Sequence, residues 1–223
     1  MLLPPLVPKI LVPRILIVAG LVLCSSVLRA STIFTTFGLN NTYSVGTGLV
    51  VTDSNFSYSV AVQFTPSADY KLSGIDFVAT RQSPDSPDSV TLSIFSDGGG
   101  LPSGNPLEAL TLAGQTVVFG GASPVLTVTS LINPVLYANH AYWVEMNAPL
   151  GSLIWNHNTT LASGIAETDG LGNWSTSNST QGVVRITGTE ATLAPEPQTW
   201  LMIAGGVAAV ALSSRRRLKP SRE

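Results

Sequence analysis

The chain has 223 residues, a formal net charge of −2 and one cysteine, a length that fits one ordinary domain or two small ones. The cysteine, Cys24, lies in an apolar run near the N-terminus. The remainder therefore has no disulfide, no thiol nucleophile and no cysteine-based zinc site.

The first segment, residues 1–30, carries Lys9 and Arg14 ahead of the uncharged apolar run from Ile15 to Leu23. A basic lead before such a run fits a secretion signal, whose apolar region needs only about 7–15 residues. It is too short for a stable anchor of about 20 residues. Pro4, Pro5, Pro8 and Pro13 argue against a buried core helix. Cleavage after Ala30 is expected, leaving Ser31 as the first mature residue. Leu23 is bulkier than the small residue that normally precedes a lipid-modified cysteine, which argues against lipoprotein processing at Cys24.

The body, residues 31–190, shows period-two alternation, the mark of strands with successive side chains on opposite faces. Val60, Val62 and Phe64 alternate with Ala61 and Gln63. Ile75, Phe77 and Ala79 follow Gly74, where a bulge resets the register from Leu72. Val90, Leu92 and Ile94, then Leu126 and Val128, then Tyr142, Val144 and Met146 continue the pattern, with Trp143 and Glu145 on the opposite face of the last. Val184 and Ile186 flank Arg185 near the end. No stretch of the body keeps a helical period. Turn residues punctuate these runs: two prolines and two aspartates in Ser83–Asp88, the glycines after Asp97, then Asp169-Gly170 and Gly172-Asn173. Together they predict an all-β fold, a single antiparallel sandwich of about eight to ten strands with jelly-roll-like topology.

From Ser31 to Ala194, three basic residues (Lys71, Arg81, Arg185) face eleven acidic ones, a charge of −8 with both histidines neutral. Nucleic-acid binding needs a basic footprint and is excluded on this count. The chain has no G-x-S-x-G elbow, no H-E-x-x-H and no phosphate-binding loop. His140 and His157 read as strand-end or loop residues, and no local pattern supports a serine triad. A glycosidase requires two carboxylates about 5–10 Å apart, and Glu145 with Glu167 is the pair to inspect. Asp97 is a weak calcium candidate, because it has no second carboxylate in its glycine run. Trp155-Asn156 and Asn173-Trp174 offer the stacking ring and amide that sugars use, set against the commoner fate of tryptophan as core. The sequons Asn55-Phe56-Ser57 and Asn173-Trp174-Ser175 reflect an Asn/Ser/Thr-rich composition. No enzyme activity and no cofactor is expected.

After Gly188 the alternation stops, and residues 191–223 read as a separate tail. Pro195-Glu196-Pro197 is followed by the apolar run Trp200 to Leu212 and by Arg215-Arg216-Arg217. A helix over 200–212, at about 1.5 Å per residue, spans roughly 20 Å, less than a hydrocarbon core of about 30 Å. The arginines stay on the cytoplasmic side, which gives a transient inner-membrane stop with the body outside. Pro-Glu-Pro, short apolar helix and arginine cluster, in that order, closely resemble the PEP-CTERM sorting signal. That resemblance implies a Gram-negative host that makes extracellular polysaccharide, and an exosortase partner that processes the tail near Pro195-Glu196-Pro197. Release or attachment outside the cell would follow.

The body also resembles the choice-of-anchor R type domain. The matching pieces, in order, are residues 60–66, Tyr70-Lys71-Leu72 with Ile75, residues 92–97 with Gly99 and Pro102, and Pro134-Val135-Leu136. Tyr142-Trp143-Val144, Trp155-Asn156 and Gly172-Asn173-Trp174 complete them, while Asn139-His140-Ala141 departs from the pattern expected before the Tyr-Trp pair. The resemblance implies an anchored surface domain and transfers no enzymatic activity. The expectation is an exported, non-enzymatic surface or matrix protein with a structural or adhesive role linked to exopolysaccharide. The alternative is a carbohydrate-binding module using Trp155 and Trp174.

Overall fold

The structure, a computed structural model, describes residues 30–52, 58–86, 88–114, 116–169 and 171–191. Residues 1–29 of the expected secretion signal, the sequon at Asn55 and residues 192–223 of the sorting tail, including Pro195, Glu196, Pro197 and Arg215 to Arg217, lie outside the described residues. Among those described, no helix is long and apolar enough to cross a membrane.

The chain runs through β1 (Ser31–Thr35), β2 (Tyr43–Thr52), β3 (Val60–Phe64), β4 (Tyr70–Phe77) and β5 (Ala79–Arg81). It continues with β6 (Ser89–Asp97), β7 (Pro102–Ala113), β8 (Val117–Val118), β9 (Leu126–Thr129) and β10 (Val135–Leu136). The last five are β11 (Tyr142–Asn147), β12 (Ser152–Asn158), β13 (Ser163–Thr168), β14 (Trp174–Thr180) and β15 (Val184–Glu190). The only helical turn among the described residues is a 3-10 turn at Leu39–Asn41. The all-β expectation therefore holds, but with fifteen described strands instead of eight to ten. The surplus has a physical cause. β5, β8 and β10 have only two or three residues each, too short to alternate visibly, and β14 is almost wholly Ser, Thr and Asn.

Two layers face each other. One is the six-stranded sheet β14-β13-β3-β11-β6-β7, antiparallel throughout. The other begins as β1-β15-β4-β10, with β9 also on β4, and continues into β2-β12-β5-β8. The two parts join because β4 passes into β5 across the single residue Val78. The Asn156 N–H donates to the Val78 carbonyl (3.1 Å), and the Val183 N–H to the Asn156 carbonyl (2.8 Å). Among the described residues only the β5–β8 pair is parallel.

The residues that alternate in sequence meet between the layers. Val60, Val62, Phe64, Leu92, Ile94, Val144, Met146 and Ile165 of the six-stranded sheet pack against Leu72, Ile75, Phe77, Val128, Leu136, Leu153, Trp155 and Ile186. Burying each such side chain contributes about 1.5–3 kcal/mol, and this sheet-on-sheet core takes the place of disulfides. The bulge expected before Ile75 is present: Thr187 pairs Gly74 but Gly188 pairs Leu72, so β4 carries one extra residue. That extra residue lets both Leu72 and Ile75 reach the core. A Cβ on Gly74 would lie 2.7 Å from the Val128 carbonyl oxygen, so the close approach of β9 requires glycine there.

Candidate functional site

The two Trp-Asn pairs have different fates. Trp155 on β12 is wholly buried, 0% exposed, and its indole N–H donates to the Val183 carbonyl at 2.9 Å. Gly182 lies flat against the ring, where a Cβ would sit 2.3 Å from an indole carbon. Asn156 is also 0% exposed. Its carbonyl oxygen accepts from the Thr80 hydroxyl (3.2 Å) and its amide donates to the Ser44 carbonyl (3.0 Å), stitching β12 to β5 and β2. The expectation of a glycan contact at Trp155 and Asn156 is therefore corrected. A ring can stack on sugar only where solvent reaches it, and this one faces the opposite layer and Gly182.

Asn173 and Trp174 sit at the β13–β14 hairpin. Asp169 organises that turn: its Oδ1 accepts the Leu171 and Asn173 N–H groups, and its Oδ2 accepts the Asn173 amide at 2.8 Å. These bonds, led by the Asn173 amide, hold the Asp169 carboxyl below its ordinary range. Asn173 is thus a turn residue, and Trp174 stands half-buried on the outer face of the six-stranded sheet.

That outer face carries a second, smaller cluster. Trp143, 4% exposed, packs with Ala61, Ala166, Phe95, Leu101 and Trp174. Ala166 pairs Ala61 and Gln63 pairs Trp143, so two methyl-sized neighbours leave room for the indole. Its N–H donates to Asp97 Oδ1 at 2.8 Å, alongside the Gln63 amide at 3.0 Å, and the Gly100 N–H donates to Oδ2 at 3.1 Å. The Trp143 bond is the main reason the Asp97 carboxyl lies below its ordinary range. Asp97 is therefore a hydrogen-bond hub in the β6–β7 turn. Among the described residues no group of three or more His, Cys, Asp or Glu side chains is placed to hold a metal ion.

Glu145 and Glu167 point to opposite faces of one sheet. Glu145 pairs Ala61 on the outer face, whereas Glu167 pairs Val60, which points into the core. Burial pushes the Glu145 carboxyl up, with a smaller opposing effect from the Ser59 hydroxyl. Glu167 accepts a hydrogen bond from the Tyr58 hydroxyl. Burial, that bond and the adjacent carboxylate push Tyr58 up to about 12. A facing acid pair is not formed by these two residues. His157 is half-buried, its Nε2 without a partner among the described residues, and burial pushes it down.

Sequence reasoning missed Glu108, a carboxylate only 7% exposed. Its Oε2 accepts the Ser130 hydroxyl (2.5 Å) and its Oε1 the N–H groups of Leu131 (2.6 Å) and Ile132 (3.1 Å), which pins the β9–β10 loop across the gap between layers. Three donors on one carboxylate make an anchor. No spacing rule marks it, because its partners lie more than twenty residues away. Of the three body cations, Arg185 is spent on Asp76 (2.6 Å) and lies over the Phe37 ring (5.3 Å).

No protein-family model matches this chain, and no curated protein matches it. Among solved structures it is similar to one described as the structure of infectious bursal disease virus Gx strain. That likeness has 14% identity and a TM-score of 0.23, and covers 85% of this chain and 48% of the other. The chain spans about half the length of that viral chain, and so low a TM-score carries no argument about function.

Proposed function

We propose that the chain is an exported bacterial surface or extracellular-matrix protein. In this reading residues 31–190 are a presented, non-enzymatic module of jelly-roll-like topology with a structural or adhesive role in exopolysaccharide. The signal at residues 1–30 starts export, the 200–212 run holds the precursor transiently in the inner membrane, and an exosortase removes the tail near Pro195-Glu196-Pro197. The observation that carries this reading is the order of the C-terminal parts, Pro-Glu-Pro, apolar run and Arg215-Arg216-Arg217, behind a signal-like N-terminus. The resemblances to the PEP-CTERM signal and to the choice-of-anchor R type domain agree with it.

The fold is compatible with removal of both ends. β1 and β15 are antiparallel neighbours with Ser31 opposite Gly188, so the start of β1 and the end of β15 lie at the same end of the sheet. The last described backbone bond before the tail is Ala191 N–H to the Asp69 carbonyl at 2.8 Å. Cutting after it removes none of the fifteen described strands. The carbohydrate-binding alternative in its paired-tryptophan form is not retained, because Trp155 is enclosed.

The test is intact mass and fractionation in a Gram-negative host that carries an exosortase. The protein recovered outside the cells should end near Pro195 to Pro197. Deleting the exosortase, or replacing Arg215, Arg216 and Arg217 with alanine, should leave an uncut precursor in the membrane fraction. Full-length protein outside the wild-type cells, or unchanged processing without the exosortase, would overturn the proposal.

A further inference from the structure

One end of the sandwich carries a cleft of about 300 Å³, lined by Ser96, Asp97, Asn139, His140, Ala141 and Tyr142. That is the lower end of small-ligand pockets, which run about 300–1,000 Å³, and it suits one ring-sized unit. We propose that this cleft binds a single uncharged sugar unit of a polysaccharide, with Asp97, Asn139 and His140 hydrogen-bonding its hydroxyls and Tyr137 at the rim.

The cleft is built in advance. On one wall, Asp97 is fixed by Trp143, Gln63 and Gly100, as described above, and its backbone N–H donates to the Ala141 carbonyl (3.2 Å). On the other wall, three bonds hold the 137–140 loop. The Tyr137 N–H donates to the Tyr142 hydroxyl (2.9 Å), the Ala138 N–H to Asp69 Oδ1 (2.7 Å), and the Asn139 N–H to the Pro66 carbonyl (2.9 Å). Asn139 sits in the left-handed region at φ 60°, a conformation that asparagine tolerates better than most residues. Groups fixed before the ligand arrives lose little entropy on binding.

The chemistry left over is that of hydroxyl recognition. Among the described residues neither the Asn139 amide nor the Ser96 hydroxyl has a partner, and each can both donate and accept. His140 Nδ1 lies 3.0 Å from the Ala138 carbonyl oxygen. That nitrogen must carry the proton, which leaves Nε2 of the neutral ring as an acceptor. Tyr137 is 54% exposed, with its ring centroid 6.0 Å from that of His140, and offers a flat apolar face beside the polar groups.

Charge selects against the alternatives. The Asp97 carboxylate and a body charge of −8 repel an anionic sugar. A bare cation would meet a carboxylate whose two oxygens already accept three N–H donors. A hydroxyl needs only one remaining lone pair.

The full chain, purified in a detergent without a sugar headgroup, should be titrated with methyl glucoside, N-acetylglucosamine and galacturonate by saturation-transfer NMR. The expected result is saturable binding of at least one neutral sugar and weaker or no binding of galacturonate. Asn139→Ala and His140→Ala should each weaken it about tenfold, the worth of one lost hydrogen bond. Both residues are on the surface loop, and an unchanged melting curve verifies the fold of each variant. Absence of saturable binding to either neutral sugar, tighter binding of galacturonate, or binding that survives the double variant would overturn the inference. Loss on Trp174→Phe with the cleft variants intact would overturn it too, by moving the contact to the sheet face. The inference stands on the cleft alone, so its failure leaves the export and processing proposal untouched.

Discussion

Trp155 and Trp174 each sit beside an asparagine in a Ser/Thr-rich stretch, and in sequence they look interchangeable. In the fold, β12 lies between β2 and β5, its indole is enclosed in the core between the layers, and Gly182, bridged to His157 of the same strand, leaves space beside the ring. β14 is instead the edge of the six-stranded sheet, so Trp174 rests on the outer face in the small cluster of Trp143, Phe95, Leu101 and the two alanines. Whether a tryptophan becomes core or surface is decided by which strands flank its own and by the size of the residues across from it. Neither is visible within a few residues of the ring.

The comparison can be broken most forcefully at Trp155. Trp155→Ala removes a fully buried ring and orphans the Val183 carbonyl, and should cost about 3–5 kcal/mol, read as a fall in the denaturation midpoint at unchanged slope. Gly182→Ala approaches the same contact from the other side. A methyl 2.3 Å from the indole must push ring or strand aside, at about 1–3 kcal/mol by the same measurement. Trp174→Ala should cost less, about 1–2 kcal/mol, because the ring is only partly buried and lies on the outer face of the sheet. A Trp174→Ala cost equal to that of Trp155→Ala would erase the distinction.

The smallest effect shows only in alkali. With its folded value near 12 against 10.0 unfolded, Tyr58 keeps its proton in the native state after the unfolded chain has lost it. Its contribution is thus complete below pH 10 and is lost as pH rises toward 12, so stability should fall across that window. Tyr58→Phe should flatten part of the fall, which chemical denaturation at a series of pH values would register. An unchanged slope in the variant would remove Tyr58 from the explanation.

Much of the interior was legible because alternation reports burial directly. Val60, Val62 and Phe64, the bulge before Ile75, and the Tyr142-Val144-Met146 face all follow from period two and one glycine. The polar strand β14 and the two-residue strands were not legible, since they are held by backbone pairing and leave no apolar pattern. At the candidate sites, Asp97 was noticed for its glycines. Its partners Trp143 and Gln63 come from strands whose register no local rule supplies. Glu108 was passed over for the same reason: a lone glutamate in a strand looks like surface until a loop from the other layer closes on it.

The most direct measurement is acrylamide quenching of tryptophan emission in a chain with Trp143 and Trp200 replaced by phenylalanine, before and after Trp174→Phe. The account predicts that the emission lost with Trp174 is the quenchable part, while the remaining Trp155 emits at short wavelength and resists quencher. A Trp155-only chain that keeps its melting curve yet is quenched as readily as free indole would contradict it.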